Sequence, residues 1–524
     1  MSQPIHTHIW LLPGKSSIAR MHKQLQSIDG LKAVENHNVQ ILFLDSHDWR
    51  LYRKGWSLQA CQHGKQWLLN LFEGESGKLL AVSPVGSLPR YISEIPAGVL
   101  YKKLYKPLFP RALLTICELR LKRREYNYQN EEGKQYLRLF LEQPLACLPE
   151  QSQGKKLRNW LAVEPVRGYE KEVHKFINFL VKQFDLEEHV TCLLSPWCLA
   201  AWDVEPTIND TKTQIAFDYD DPAPQALGRI FISLLETMNT NEAGLVKQID
   251  SEFLHDYRIA IRRTRSLLGQ IKHIITPDKL EIFKNEFAWL STLTGPARDY
   301  DVMLLEFPEY QAMLPEYDSS DYSALWDYLS HKKAEAYDTL IDALQSTRYA
   351  EFKQKWHEFL QPDNFALSET GSRSTIGEVA NQRIGHIYKR VISEGKNITH
   401  KSPIENYHQL RKSCKKLRYL LEMFRSLYST KKVKVLINEL KSLQDNLGEL
   451  QDLEVHVEIL QSFLTQEILI KNDNRMPLTS IRQLVDSMLS RKQTVMDNFF
   501  AAFNAFASKK NKQLFAELLG LENT

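Results

Sequence analysis

Two short segments of the chain combine a histidine with closely spaced cations. His255-x-x-Arg258 is followed by further arginines, and His408-x-x-Arg411 is followed by lysines and an arginine at the same spacing. Guanidinium and ammonium groups in this number form charge-assisted hydrogen bonds with phosphate oxygens, so the pattern predicts a polyanion-binding site. The candidate site residues are His255, Arg258, Arg262, Arg263 and Arg265 in the first segment and His408, Arg411, Lys412, Lys415, Lys416 and Arg418 in the second.

Both segments have the spacing of an amphipathic helix. At about 100° per residue, the histidine and the cations every third or fourth position fall within roughly 80° of the helix surface. Residues 407–421 contain five cations and no acid, whereas ordinary solvated helix faces mix both signs. The remaining positions form separate apolar stripes, namely Tyr257, Ile261, Thr264 and Leu268, and Leu410, Cys414, Leu417 and Leu421.

The two segments are parts of an internal duplication. His255 and His408 are 153 positions apart, and the same offset places Gly295-Pro-Ala-Arg-Asp over Gly448-Glu-Leu-Gln-Asp without a gap. Arg298 has no basic counterpart, because its partner is Gln451. Four acids recur after these glycines, and we expect them to orient the arginines, with a Mg²⁺ site as the alternative. These acids are Asp299, Asp301, Asp452 and Glu454.

Length and composition predict a soluble protein of more than one domain. The chain has 524 residues, 43% hydrophobic and 25% charged, with a net charge of only +3, so the cations are local concentrations. Six cysteines without a C-x-x-C pair argue against a disulfide framework or a zinc cluster. With no apparent secretory signal, we expect a cytoplasmic location.

The pattern changes from strands to helices along the chain. Apolar runs at residues 39–44, 67–72, 114–119 and 136–141 predict an antiparallel sheet, and residues 170–184 predict a helix. We expect an N-terminal β domain over residues 1–200 and a linker over residues 201–223. An all-α domain over residues 224–518 would follow, with four-helix repeats at about 224–360 and 374–518.

The second half resembles the CHAD domain, the conserved histidine α-helical domain. The resemblance rests on H-x-x-R-x-x-x-[RK]-[RK]-x-R in both repeats and on Leu290-x-x-Leu293-x-Gly295-x-x-Arg298-Asp-x-Asp. It implies a pseudo-twofold helical bundle that binds inorganic polyphosphate through the candidate site residues, with the histidines matching those that give the domain its name.

The first half is similar to the CYTH domain, an antiparallel tunnel that acts on triphosphates with a divalent metal. Phe43-Leu-Asp45-Ser46 and the segment from Trp49 to Leu58 carry this resemblance. The family's opening E-x-E-x-K is replaced by His6-Thr-His8-Ile-Trp, and a later L-R-x-R is replaced by Leu58-Gln-Ala-Cys. We therefore expect a degenerate, CYTH-like domain without catalysis, while a transition-metal site at His6 and His8 is a weaker alternative.

The leading hypothesis is thus a polyphosphate-binding protein that needs no cofactor. The first alternative is a metal-dependent inorganic triphosphatase that uses Mg²⁺ or Mn²⁺ in the N-terminal tunnel, through Arg50, Arg53, Arg123, Arg124 and Glu142. The second alternative is a nucleic-acid binder, which the scarcity of base-reading side chains in the second segment disfavours. No membrane partner is expected, because the apolar stripes are assigned to the core.

Overall fold

The computed structural model describes most of the chain and divides it into two compact units. The described residues are 8–14, 17–63, 65–74, 76–129, 132–149, 151, 153–166, 168–190, 198–206, 215–271, 274–313, 319–361, 374–470 and 478–520. Unit 1 comprises Met1–Asp210 and unit 2 comprises Thr211–Thr524. The division falls inside the segment assigned to the linker.

Unit 1 is built on an antiparallel sheet. Its described strands are β1 (His8–Leu11), β2 (Leu31–Asp45), β3 (Trp56–His63), β4 (Gln66–Glu73), β5 (Leu79–Val85), β6 (Leu114–Gln129), β7 (Gln135–Cys147), β8 (Lys155–Lys156), β9 (Trp160–Pro165) and β10 (Glu187–Val190). They pair in the order β10-β1-β9-β7-β6-β2-β3-β4-β5, and β8 pairs with β7. Each of the four predicted apolar runs lies in a strand, which confirms the predicted sheet.

Three helices whose full bounds lie in the described residues accompany the sheet of unit 1. They are α1 (Ile18–Gln26), α2 (Val99–Leu108) and α3 (Glu170–Phe184). Helix α3 has the predicted bounds, because Val173, Phe176 and Leu180 recur on one face and are buried. They pack with Leu139 and Leu141 of β7 in one apolar cluster, while α2 packs its leucines against β3 and β4 in another.

Unit 2 is all helical in its described part. Its two repeats contain corresponding helices in the same order along the chain. The first repeat contains α4 (Ala223–Val246), α5 (Ser251–Gln270), α6 (Pro277–Met313), α7 (Ser319–Leu344) and α8 (Thr347–Phe359). The second contains α9 (Ile376–Lys396), α10 (Ile404–Met423), α11 (Thr430–Ile470), α12 (Thr479–Phe506) and α13 (Lys509–Leu518). The first three helices of each repeat start 153 residues apart, as the duplication predicts.

Each described repeat has five helices instead of the predicted four. The additional helices are α8 and α13, with 13 and 10 residues, and each begins at a serine whose hydroxyl accepts a hydrogen bond from a backbone N–H of the first turn. They follow α7 and α12 after very short connections. In the sequence, their apolar residues therefore look like a continuation of the longer helices. One apolar core extends through both repeats, so the α+β architecture with an internally repeated helical bundle is confirmed.

Candidate anion-binding site

The two helices that carry the histidine and cation segments, α5 and α10, are neighbours in the fold. α5 packs against α6 and α10, and α10 packs against α11. α5 starts at Asp250, whose carboxylate accepts hydrogen bonds from the backbone N–H groups of Glu252 and Phe253 at 2.9 and 3.3 Å. The predicted apolar stripes of α5 and α10 are buried in the common core. The cations are therefore held on two helices whose rotation about their axes is fixed by packing.

A group of five cations, which we call the basic centre, lies where α5, α6 and α10 meet. Burial, together with repulsion from Arg262 and Arg298, lowers the pKa of Arg258 to about 10. Burial also lowers the pKa of Lys415 to about 7, with Arg411 and Arg262 as the next causes. These groups are brought together although they come from both repeats. The basic centre consists of Arg258, Arg262, Arg298, Arg411 and Lys415.

Two carboxylates at equivalent positions in the repeats lie among these cations. Arg411 Nη2 is 3.9 Å from Asp452 Oδ1, which is longer than a hydrogen bond. Burial raises the pKa of both Asp299 and Asp452, although Arg258 and Arg411, respectively, pull the two pKa values down. Two acids therefore face five cations, and the positive charge of the basic centre is only partly compensated.

Several buried N–H groups of the site have no hydrogen-bond acceptor among the described residues. Buried polar groups normally have a partner, because an unpaired donor loses its hydration without replacement. Their concentration at one place is the pattern of a site that completes its hydrogen bonds with a bound anion. The atoms are Arg258 Nη1, Arg262 Nε, Arg298 Nη1, Arg411 Nε and His408 Nε2.

Each histidine precedes the cations of its segment on the same helix. His255 and His408 are half-buried at equivalent positions of α5 and α10. Burial lowers the pKa of His408, and Arg411 and Lys412 add repulsion against the pull of Glu454. His408 is therefore neutral at pH 7 and offers a hydrogen bond, not a charge.

The other candidate cations lie at the two flanks of the basic centre. Glu422 Oε2 is 2.9 Å from Arg263 Nη2, and Glu422 Oε1 is 2.7 Å from Arg418 Nε. These two arginines thus share one carboxylate of the protein, which offsets one of their two positive charges. The opposite flank carries Arg265 and Lys416, and burial and Arg390 lower the pKa of Lys416 while Lys412 and Arg265 repel it further.

Asp301 and Glu454, the other two acids related by the offset of 153 residues, do not have the role expected from the sequence. Asp301 is buried, and it accepts a hydrogen bond from Tyr337 at 2.7 Å and pairs with Lys333 at 2.7 Å. Glu454 pairs with Lys492 in the equivalent place of the second repeat. Asp301 therefore links α6 to α7, and Glu454 links α11 to α12. Within the described part of the chain, neither acid orients an arginine. The described residues contain no group of three potential metal ligands.

Two functional residues were not among the candidates from the sequence. Arg298 belongs to the basic centre, but its lack of a basic counterpart left it outside a site defined by repetition. Glu422 pairs with Arg263 and Arg418 and so reduces the positive charge of one flank. Its contact with Arg263 exists only because α5 and α10 pack against each other. The short distance between Arg418 and Glu422, four residues apart on one helix, was the signal available.

In unit 1, the buried cation Arg123 is paired with a buried carboxylate. Arg123 Nε donates to Glu142 Oε1 at 2.5 Å, and Trp160 Nε1 donates to Glu142 Oε2 at 2.5 Å. Arg123 and Glu142 are cross-strand partners in the β6–β7 ladder. Their exposed fractions are 5% and 1%. This arrangement satisfies both charges without a ligand.

The remaining residues of the triphosphatase alternative are dispersed over unit 1. Arg50 and Arg53 both pair with Asp48, at 2.8 and 3.3 Å. Arg124 follows Arg123 in β6 and therefore points to the opposite face of the sheet. His6 lies outside the described residues, so the structure does not address a site with His8.

A cavity of about 1280 Å³ in unit 1 is lined mainly by residues of β2, β3, β6 and β7. It contains Glu118 as well as cations, and Glu118 pairs with Arg120 at 2.6 Å. Cys61 of β3 also lines the cavity, so the position of one of the two arginines expected in β3 is occupied by an uncharged side chain. The cations that line the cavity are Arg120, Lys122, Arg123 and Lys156.

Comparison with known proteins gives a family match in the helical unit. Residues 229–461 match the family model for the CHAD domain. The chain is similar to the CHAD domain from the plant Ricinus communis, with 23% identity and a TM-score of 0.48, over 56% of this chain and 96% of that chain. It is also similar to PptA from Streptomyces chartreusis, with 15% identity and a TM-score of 0.44, over 55% and 100% of the two chains.

A third similar structure is a putative adenylate cyclase from Bacillus halodurans. The identity is 15% and the TM-score 0.26, over 37% of this chain and 97% of that chain. None of the curated proteins compared with the sequence matches it. None of the helices in the described ranges has the length and apolar character required to cross a bilayer. From the repeated motifs, the paired helices and the family match, the helical unit of this chain contains a CHAD domain.

Proposed function

We propose that the helical unit binds inorganic polyphosphate through the basic centre and the candidate cations around it. The observation that carries the proposal is the set of buried, cationic N–H groups at the meeting point of α5, α6 and α10 that have no acceptor among the described residues. Charge-assisted hydrogen bonds from such groups contribute roughly 1.5–3 kcal/mol each before competing costs. The CHAD resemblance, which implies polyphosphate as ligand, supports the same conclusion.

The geometry favours a thin, flexible polyanion over a nucleic-acid duplex. Arg258 and Arg411 are half-buried between packed helices, so a ligand must expose its phosphates on a narrow chain to reach them. Polyphosphate has about one charge per phosphate and no bases to exclude. Nucleic acid remains the competitor, because its phosphates offer the same chemistry to exposed cations.

The test is a titration of the purified chain with long-chain polyphosphate at several salt concentrations. We expect tight, salt-sensitive binding by the wild type and its loss in Arg258→Ala/Arg411→Ala. Duplex DNA and RNA serve as competitors. Absence of binding, or equal displacement by DNA at matched phosphate concentration, would contradict the proposal.

For unit 1 we propose a CYTH-like sheet without triphosphatase activity, and therefore no metal cofactor. The support is chemical: His6 and His8 stand where the carboxylates expected to hold a divalent metal would be, and Arg123 is engaged by Glu142. Incubation with tripolyphosphate and Mg²⁺ or Mn²⁺ should release no phosphate. Metal-dependent release that disappears in Lys122→Ala, whose side chain lines the cavity and is exposed, would reverse this assignment.

A further inference from the structure

The duplication relates the two flanks of the basic centre to each other. With the offset of 153, Arg263 corresponds to Lys416, and Arg418 corresponds to Arg265. Each flank therefore contains one cation from α5 and one from α10. If the repeats were identical, both flanks would treat an anion in the same way.

On the first flank, a carboxylate of the protein occupies the place between the two cations. Glu422 bridges Arg263 and Arg418 at 2.9 and 2.7 Å. Arg418 Nη1 also donates to Gln444 Oε1 at 3.2 Å, and Arg263 lies over the ring of Tyr419 at 5.9 Å. These contacts give both guanidinium groups an acceptor inside the protein.

On the second flank, the corresponding acceptors are missing from the sequence. Glu422 corresponds to Gly269, and Gln444 corresponds to Ser291. A Cβ atom added to Gly269 would have no described atom within 4 Å. Among the described residues, neither Arg265 nor Lys416 has a carboxylate within ion-pair distance. The second flank thus has the cations and the space, but not the internal anion.

The acid nearest to the second flank is already engaged. Glu394 pulls the pKa of Lys416 upward, but burial and Arg390 outweigh this effect and lower the pKa. Glu394 Oε1 accepts from Arg390 Nε at 2.6 Å and from Gln409 Nε2 at 3.3 Å. Lys412 is exposed on the same side of α10. The positive charge of this flank therefore remains available to a ligand.

We propose that Arg265 and Lys416 form a one-sided phosphate subsite, and that the carboxylate of Glu422 occupies and closes the equivalent subsite on the other flank. This inference rests on the proposed function and refines it. A polyphosphate chain held in the basic centre leaves the site past Arg265 and Lys416 toward Lys412. The pseudo-twofold unit consequently binds its ligand asymmetrically.

Substitutions at the two equivalent positions test the inference. Gly269→Glu supplies the second flank with the acid that the first flank has, and it should weaken binding of long-chain polyphosphate by about tenfold. Gly269→Gln is the matched control, because it has the same shape without charge, and it should bind as the wild type does. Glu422→Gln frees Arg263 and Arg418 and should tighten binding severalfold.

The failure of this inference differs from the failure of the proposed function. If the wild type does not bind polyphosphate, the proposed function is wrong, and the subsite falls with it. If the wild type binds and Arg258→Ala/Arg411→Ala does not, but Gly269→Glu and Gly269→Gln have equal affinities, only the one-sided subsite is overturned. Unchanged affinity of Glu422→Gln, with an unchanged melting temperature, would overturn the closure by Glu422.

Discussion

Two buried arginine sites in this chain differ in how their charge is compensated. In unit 1, Arg123 meets Glu142 at 2.5 Å, and the same carboxylate accepts from Trp160. In unit 2, Arg258 and Arg411 have N–H groups for which the described part of the chain provides no acceptor, and both arginines repel their basic neighbours. A buried cation with a full set of partners serves the fold, whereas a cluster of cations without partners is arranged for a ligand.

The largest effect on stability is expected where the charge is compensated. Arg123→Ala leaves the buried Glu142 without its cation, so the free energy of unfolding of unit 1 should fall by about 3–5 kcal/mol. Denaturant unfolding of the full chain measures this change. Lys122→Ala, an exposed neighbour in β6, should stay within about 0.5 kcal/mol of the wild type. A loss below about 1 kcal/mol for Arg123→Ala would show that the pairing of Arg123 with Glu142 is not important for the stability of unit 1.

The largest effect on binding is expected where the charge is not compensated. Arg258→Met/Arg411→Met should weaken polyphosphate binding by about a hundredfold, which corresponds to about 2.7 kcal/mol. By analogy with other polyanions, the slope of log K against log salt should become shallower by roughly 0.7–0.9 for each lost contact. Isothermal titration at three salt concentrations gives both quantities. An unchanged slope would indicate that neither guanidinium contacts the ligand.

Binding should also depend on pH through Lys415. The pKa of Lys415 in the empty site is lowered to about 7, and a bound polyanion raises it, so binding takes up a proton. The affinity should therefore be highest below about pH 7 and fall as the pH rises from 7 to 9, by at most tenfold per pH unit. The pKa of His408 in the free protein is below its ordinary value, so this histidine is neutral before binding throughout that range.

Lys415→Arg provides the control for this pH dependence. Its guanidinium remains charged between pH 7 and 9, so titrations of the variant should show a flat profile where the wild type declines. An equal decline in both proteins would assign the pH dependence to another group.

The smallest effect is expected from the partial compensation inside the basic centre. Asp452 pulls the pKa values of Arg411 and Lys415 upward and therefore also repels an incoming phosphate. Asp452→Asn should tighten polyphosphate binding by about two- to fivefold. Competition against a labelled polyphosphate measures this difference. Weaker binding would mean that Asp452 positions Arg411 for the ligand.

The sequence predicted the elements better than the contacts between them. Helices α3, α5 and α10 follow from apolar spacing alone. Apolar residues such as Val173 and Leu410 recur every three or four positions, and this spacing places them on one buried face only if the segment is helical. The pairing of Arg123 with Glu142 depends on the register of β6 against β7, which the pattern of either strand leaves open. The role of Glu422 likewise depends on how α10 crosses α5.

Repetition was both the strongest guide to the site and the source of its main omission. It identified His255 and His408 with their following cations, and the structure places most of those cations around one centre. It left out Arg298, because a rule based on equivalent positions excludes residues that differ between the repeats. The differences at Arg298, Glu422 and Gly269 are what make the two halves unequal.

Thermal unfolding of the full chain by calorimetry, with and without long-chain polyphosphate, tests the central claim most directly. Without ligand, Arg258→Met/Arg411→Met should melt at the wild-type temperature or above it, because the substitutions remove repulsion. With ligand, the helical transition of the wild type should rise and that of the variant should not, because only a folded state that binds is stabilised. A variant that melts lower without ligand, yet shifts with polyphosphate as the wild type does, would show that these arginines support the fold and bind nothing.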